Sequence, residues 1–331
     1  MLSAIENLKE TMKRDGRPDR FVNQYEFLHI LLPDLYYTGD RPRKPGGEGC
    51  DGYGVFWRFK EGQMGPLPIH DPQHTVIQDI CHWDEKLTRF PAAPEDPGYW
   101  AMLNDMASKA VPGEQYATAF YAQGIFERLH SLMGMEDAMI ALYEEPEKVH
   151  ELIDFLVAAE LDFAKNIMDH VPGVRALLHH DDWGSNVNSF LSPAMFDEFI
   201  TPAYKKIYGY WRERGVELIV HHSDSYAANL VPAMLEMGVD IWQGVFPEND
   251  IPKLVEQYAG RITFMGEIRT LAIDLPNVTD EEIAREVERA CLKCKGPSFI
   301  PCLTAGLPIS HFPGVYDKVS GEIRRLSREL F

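Results

Sequence analysis

From residue 174 onward, apolar and polar positions alternate in a regular way. "VRALLHHDDWG" (174–184) reads as a strand, and "SPAMFDEFITPAYKKIYGYWRERG" (192–215) as the helix after it, with Ser192 as N-cap and Pro193 at its first position. "VELIVHHSDSY" (216–226) is a second strand, followed by the helix "AANLVPAMLEMG". "VDIWQGV" and "DIPKLVEQYAG" repeat the pair, as do "RITFMGEI" and "TDEEIAREVERACLKCKG". "SFIPCLTAGLP" closes the series before a terminal helix, "YDKVSGEIRRLSREL". Strand and helix alternating through short connections predict parallel βαβ units. The first half has room to bring the total to about eight, the number of a (β/α)8 TIM barrel. A doubly wound sheet is the competing arrangement, but no GxGxxG loop follows a strand.

Upstream, "GIFERLHSLMGMEDAMIALYEEPEKVHELIDFLVAAELDFAKNIMDHV" (124–171) carries apolar residues at helical spacing, and Pro146 opens one of its two or three helices. Residues from about 40 to 100 differ. "RPRKPGGEGCDGYGVFW", "EGQMGPLPIHDP" and "FPAAPEDPGYW" are rich in Gly, Pro and aromatics, too long for a plain connection. They predict an ordered N-terminal excursion with short strands and small apolar clusters of its own around Trp57, Trp83 and Trp100. The whole chain, 1–331, is expected to form one barrel domain.

Composition narrows the function. Of 331 residues, 45% are hydrophobic and 25% charged, an ordinary globular balance. The formal net charge of −19 repels phosphate backbones, so nucleic acid is not an expected partner. Arg41, Arg43 and Lys44 make only a small basic cluster. No apolar run reaches the roughly eighteen residues of a membrane span. The first twenty residues read as a charged amphipathic helix rather than a signal peptide. Five irregularly spaced cysteines suit a reducing cytoplasm, the expected location. Cys291 and Cys294 fall about one turn apart on a helix, as ordinary helix positions.

The chemistry gathers at strand ends. "HHDD" (179–182), "HHSDS" (221–225), "QG" (243–244), "GEIR" (266–269) and "CLTAG" (302–306) each end a strand, and in a barrel that edge carries the active site. Side chains alternate along a strand, so Val216, Leu218, Val220, His222 and Asp224 share one face while Ile219, His221 and Ser223 share the other. His222 and Asp224 can therefore reach one ion, and imidazole with carboxylate suits Zn2+. Cys302 or Glu267 is in place to supply a third ligand. The alternative reading makes His222 a hydrogen-bonded core histidine, Asp224 a helix cap, and Asp182 the cap of a turn before Trp183.

On these residues the chain resembles the uroporphyrinogen decarboxylase superfamily, and within it the corrinoid-dependent methyltransferases. The resemblance rests on "CDGYGVFW" (50–57), "GIFERLHSLMG" (124–134), "DDWGSN" (181–186), "SPAMFDEFITPAYKKI" (192–207), "GVDIWQGV" (238–245) and "FMGEI" (264–268), spanning about residues 20 to 315. It implies a (β/α)8 barrel. The true decarboxylases carry an Arg-rich N-terminal segment that "RPDRFVNQYEFLHILLPDLYY" lacks. The methyltransferase branch holds zinc with His–x–Cys and a later Cys, activating a thiol. Here that pattern falls on His222 and Asp224, with the later position near Ala305 and Cys302 three residues before it. A harder His/Asp site suits an oxygen substrate. The resemblance thus implies an O-demethylase, moving a methyl group from a small, aromatic methoxylated donor to the cobalt of a corrinoid protein. His180, Asp182, His222, Asp224 and Glu267 are its candidate acid or metal groups. Tyr25, Tyr53, Trp57, Trp183 and Arg269 are candidates for holding the donor. Rival readings are a metal-independent decarboxylase of a tetrapyrrole or small acid, using Asp182, and a non-catalytic corrinoid or tetrapyrrole binder.

Overall fold

The computed structural model describes residues 1–33, 39–63 and 65–331. Seven strands form one curled sheet among the described residues: β1 (Leu28–Leu31), β5 (Tyr116–Ala122), β6 (Ala176–His180), β7 (Leu218–His222), β8 (Ile241–Val245), β9 (Thr263–Ile268) and β10 (Phe299–Leu303). They lie in that order, and every neighbouring pair is parallel. Helices follow the strands and cover the outside, giving a TIM-barrel-like fold.

The strand count is one short of the eight expected. The segment 21–27 leads into β1, and its backbone is left-handed at Gln24 (φ 51°). The Gln24 side chain takes over the bonding there. Its amide nitrogen donates to Ser320 Oγ at 2.7 Å, and its oxygen accepts from Leu303 N–H at 3.2 Å. Tyr25 OH donates to the Ala305 carbonyl at 2.7 Å.

The strands bury side chains in two layers. Phe27, Phe120, Leu178, Val220, Ile241, Met265 and Ile300 belong to an inner cluster that fills the barrel. Leu177, Ile219, Trp242, Phe264 and Phe299 belong to the outer cluster, shared with the helices. Because parallel strands keep register, His179 lies beside His221 and His180 beside His222, one pair on each face.

Helix signals in the sequence hold locally. In α7 (Pro193–Phe199), Ser192 Oγ accepts from Met195 N–H at 3.3 Å. The expected single helix nonetheless breaks at Ile200 and resumes as α8 (Thr201–Glu213). Pro202 accounts for the break, since it has no N–H to carry the ladder through. Cys291 and Cys294 sit buried on α12 (Asp280–Cys294), with no disulfide.

The excursion contains three short antiparallel strands, β2 (Glu48–Cys50), β3 (Phe56–Arg58) and β4 (Leu67–Pro68). Its tryptophans do not form separate clusters. Trp57, Trp83 and Trp100 merge with the outer core, Trp83 lying 5.4 Å from Phe155 of α6 (Pro146–His170) and Trp100 stacking on His170 at 4.3 Å. A buried ion pair, Arg128 Nη1 to Asp51 Oδ2 at 2.6 Å, latches the excursion to α4 (Ile125–Met133). Both side chains are at least 95% buried, and Tyr53 lies flat under the guanidinium at 4.3 Å. Replacing Arg128 with Met strands the Asp51 charge, and is expected to lower stability by about 3–5 kcal/mol in urea unfolding.

Candidate active site

Three side chains at the C-terminal ends of β6 and β7 form a titratable cluster. His180, Asp182 and His222 each present a ligand atom within 4.8 Å of the others. His180 Nε2 donates to Asp182 Oδ2 at 3.3 Å and lies 3.7 Å from Glu127 Oε2. His222 Nε2 is 3.8 Å from Asp182 Oδ1, which also accepts the Asp224 N–H at 3.0 Å. The two imidazoles meet edge to face at 4.4 Å. His222 Nδ1 pairs with the side-chain amide of Gln243, on the next strand.

Charges packed this closely shift one another. Burial opposes charge on His180, but the Glu127 and Asp182 carboxylates outweigh it and push the imidazole up to about 10. Burial, then the His180 charge, push His222 down to about 4. Burial works against ionisation of Asp182 too, yet His180, His222 and the Asp224 N–H together hold its carboxyl well below the usual range. Burial and the Asp182 charge push Asp224 up to about 8. Burial also raises Glu127 to about 8, against the pull of His180. The resting cluster is thus a cationic His180 and an anionic Asp182 beside a neutral His222.

The outer-facing residues brace this arrangement. Asp181, fully buried, accepts from Phe126 N–H at 2.9 Å, Glu127 N–H at 2.7 Å, Trp183 Nε1 at 3.0 Å and Tyr204 OH at 2.6 Å. It caps α4 and so sets Glu127 against His180. His221 receives Tyr208 and stacks on Trp183 at 3.8 Å, while His179 meets Glu160 at 2.9 Å. These two histidines are packing residues.

Several residues expected at the site lie elsewhere. Glu267 is fully buried but turned to the helix layer, where Arg289 at 2.6 Å and Lys293 at 2.9 Å of α12 hold it. Its left-handed backbone (φ 70°) breaks the strand alternation that would have aimed it inward. Cys302 lies beyond the Gln243 amide, 3.9 Å from its nitrogen, and burial pushes its thiol well up. Tyr25 is pinned to Ala305, Tyr53 lies under Arg128, Trp57 under Arg41 at 3.8 Å, and Trp183 on His221. All four rings are at least 95% buried. Arg269 does line an open cleft of about 370 Å³ on the same rim, with Asn186, Val187, Phe246, Glu248 and Thr304. It pairs with Glu248 at 3.1 Å.

Sequence reasoning did not single out Glu127, although it stands in the quoted "GIFERLHSLMG". A carboxylate in a first helical turn reads as a dipole partner, and only the fold brings His180 to it. Gly306 is the other omission. A Cβ there would lie 3.1–3.2 Å from Cδ2, Nε2 and Cε1 of His222, so the absence of a side chain lets this loop pack closely on the face of the ring.

A parallel α/β barrel with acid–imidazole chemistry at its C-terminal rim has the layout of the barrel enzymes. Residues 91–319 match the family model of uroporphyrinogen decarboxylase (URO-D), and the chain belongs to that family. Among solved structures it is similar to a methyltransferase from Methanosarcina mazei, at 13% identity over 99% of both chains with a TM-score of 0.65. A B12-independent methionine synthase from Shewanella sp. W3-18-1 matches at 14% identity over 72% of this chain and 69% of its own, with a TM-score of 0.47. At this identity the likeness to the Methanosarcina protein is one of fold. No curated protein matches the sequence. No helix among the described residues is long and apolar enough to cross a membrane.

The electrostatics are testable in metal-free protein. By NMR, His180 is expected to stay protonated until the pH nears 10, and His222 to stay neutral down to about 4. His180 is raised above its unfolded value of 6.5, so the stability it adds is complete below 6.5 and fades as pH climbs through about 10. Glu127→Gln is expected to lower the His180 midpoint, measured in the same titration.

Proposed function

We propose that the chain is a methyltransferase that takes the methyl group from the oxygen of a small methoxylated aromatic compound and passes it to the cobalt of a corrinoid on a partner protein. The observation that carries this reading is the His180–Asp182–His222 cluster, which offers nitrogen and oxygen donors without a thiolate at the mouth of the barrel. An aryl ether resists demethylation because the departing phenolate is a poor leaving group. A charged acid or Lewis acid at the ether oxygen corrects that. His180 is the charged acid in the metal-free cluster, and Asp182 holds it in place.

The residues also fit zinc. The neutral His222 imidazole and the ionised Asp182 carboxylate are suitable donors at suitable spacing. His222, Asp182 and His180 would hold the ion, in place of the His222, Asp224 and Cys302 set that the sequence suggests. When bound, zinc supplies Lewis acidity at the ether oxygen. Asp224 gives its N–H to Asp182 and adds a carboxyl beside it. The cleft lined by Arg269 and Phe246 has room for a substituted aromatic ring. A cytoplasmic location accords with chemistry that needs reduced cobalt.

A carboxylate-gripping decarboxylase site finds no support in the N-terminal Arg20, which is spent on Leu2 O and Asp19.

The decisive assay mixes the purified protein with a reduced corrinoid carrier and a panel of aryl methyl ethers. Methylcobalamin absorbance is expected with at least one ether. Carbon dioxide release from tetrapyrrole or small acids, undiminished by chelators, with no methylcobalamin, would replace this reading by the decarboxylase. Asp182→Asn and His222→Ala are each expected to cut methyl transfer by about 100-fold or more while leaving thermal unfolding cooperative. Elemental analysis of the wild type is expected to find zinc, lost in His222→Ala.

A further inference from the structure

Gln243 stands at the end of β8 with its side chain inside the barrel, fully buried. Its amide nitrogen faces two backbone carbonyls, Leu303 O and Ala305 O, each at 3.1 Å. A carbonyl only accepts, so the NH2 end of the amide must lie on that side. The amide oxygen then faces His222 Nδ1 and can only accept from it. The proton of neutral His222 is therefore on Nδ1, which leaves the lone pair on Nε2, 3.8 Å from Asp182 Oδ1.

We infer that Gln243 is a positioning residue with two coupled tasks. It selects the Nδ1–H tautomer of His222, which makes Nε2 a permanent lone-pair donor and bars it from acting as a neutral-state acid. With the same amide it holds the loop after β10, so that Gly306 lies against the imidazole. Tyr25 OH shares only the second task, since it also donates to Ala305 O but does not touch His222. The two residues can thus be separated by experiment. A leucine at 243 offers the imidazole no acceptor, and a methionine only a weak thioether one, so the ring is free to move its proton to Nε2. This inference rests on the proposed use of Nε2 at the site, but the tautomer itself is read without metal, carrier or methyl donor. Failure of the methyl-transfer assay and failure of this inference are therefore distinct results.

The test uses histidine-labelled, metal-free protein at neutral pH, with long-range imidazole 15N spectra assigned through His222→Gln. Wild type is expected to show His222 protonated at Nδ1 and bare at Nε2. Tyr25→Phe is expected to keep that pattern. Gln243→Leu, or Gln243→Met where the leucine variant does not fold, is expected to show Nε2–H or a mixture. Zinc affinity, measured by competition with a chromogenic chelator, is expected to fall about 10–100-fold in the same variant. Two results would overturn the assignment: an Nε2–H tautomer in wild type, or an unchanged tautomer and zinc affinity in the folded Gln243 variant.

Discussion

The arrangement of this molecule depends on the pleat of two neighbouring strands held in register. β6 and β7 each end in a pair of histidines, and parallel pairing sets His179 beside His221 and His180 beside His222. One residue of each pair must face the helices and the other the barrel interior. The outward pair becomes packing, braced by Glu160, Tyr208 and Trp183. The inward pair gathers around Asp182. A slip of one residue would exchange the two sets and leave the helix layer without its hydrogen-bond partners.

Burial decides the rest. Charges out of water are tolerated only when paired, and Asp182 is the partner both inward histidines share. Its neighbour Asp181 answers the same demand differently, by accepting four donors from α4, α8 and Trp183. Two adjacent aspartates therefore hold different offices. One is a fully satisfied anchor that places Glu127, and the other turns one oxygen to His180 and one to His222 and the Asp224 N–H.

Much of this was legible in the sequence. The βαβ rhythm after residue 174 pointed to the barrel, because a short apolar run followed at once by a polar cluster and a helix is how a buried parallel strand is written. The opposed directions of His221 and His222 followed from strand periodicity alone. What stayed hidden depends on backbone conformation and on contacts distant in sequence. A left-handed residue at Glu267 removed an expected acid, and nothing in its identity announces such a backbone. Glu127 joins His180 across 53 residues, which no local pattern reports. Aromatic residues expected to hold a ligand proved to be core, the commoner fate of a large ring.

Helix α4 links two parts of the protein through consecutive residues. Glu127 faces the cluster, and Arg128, next in the chain, is locked to Asp51 of the excursion. The excursion is therefore no removable ornament on a self-sufficient barrel. Relatives that shorten or exchange it inherit an obligation to place another carboxylate against this guanidinium, or to change residue 128 with it. A change at Asp51 is thus felt one residue away from the carboxylate that faces His180.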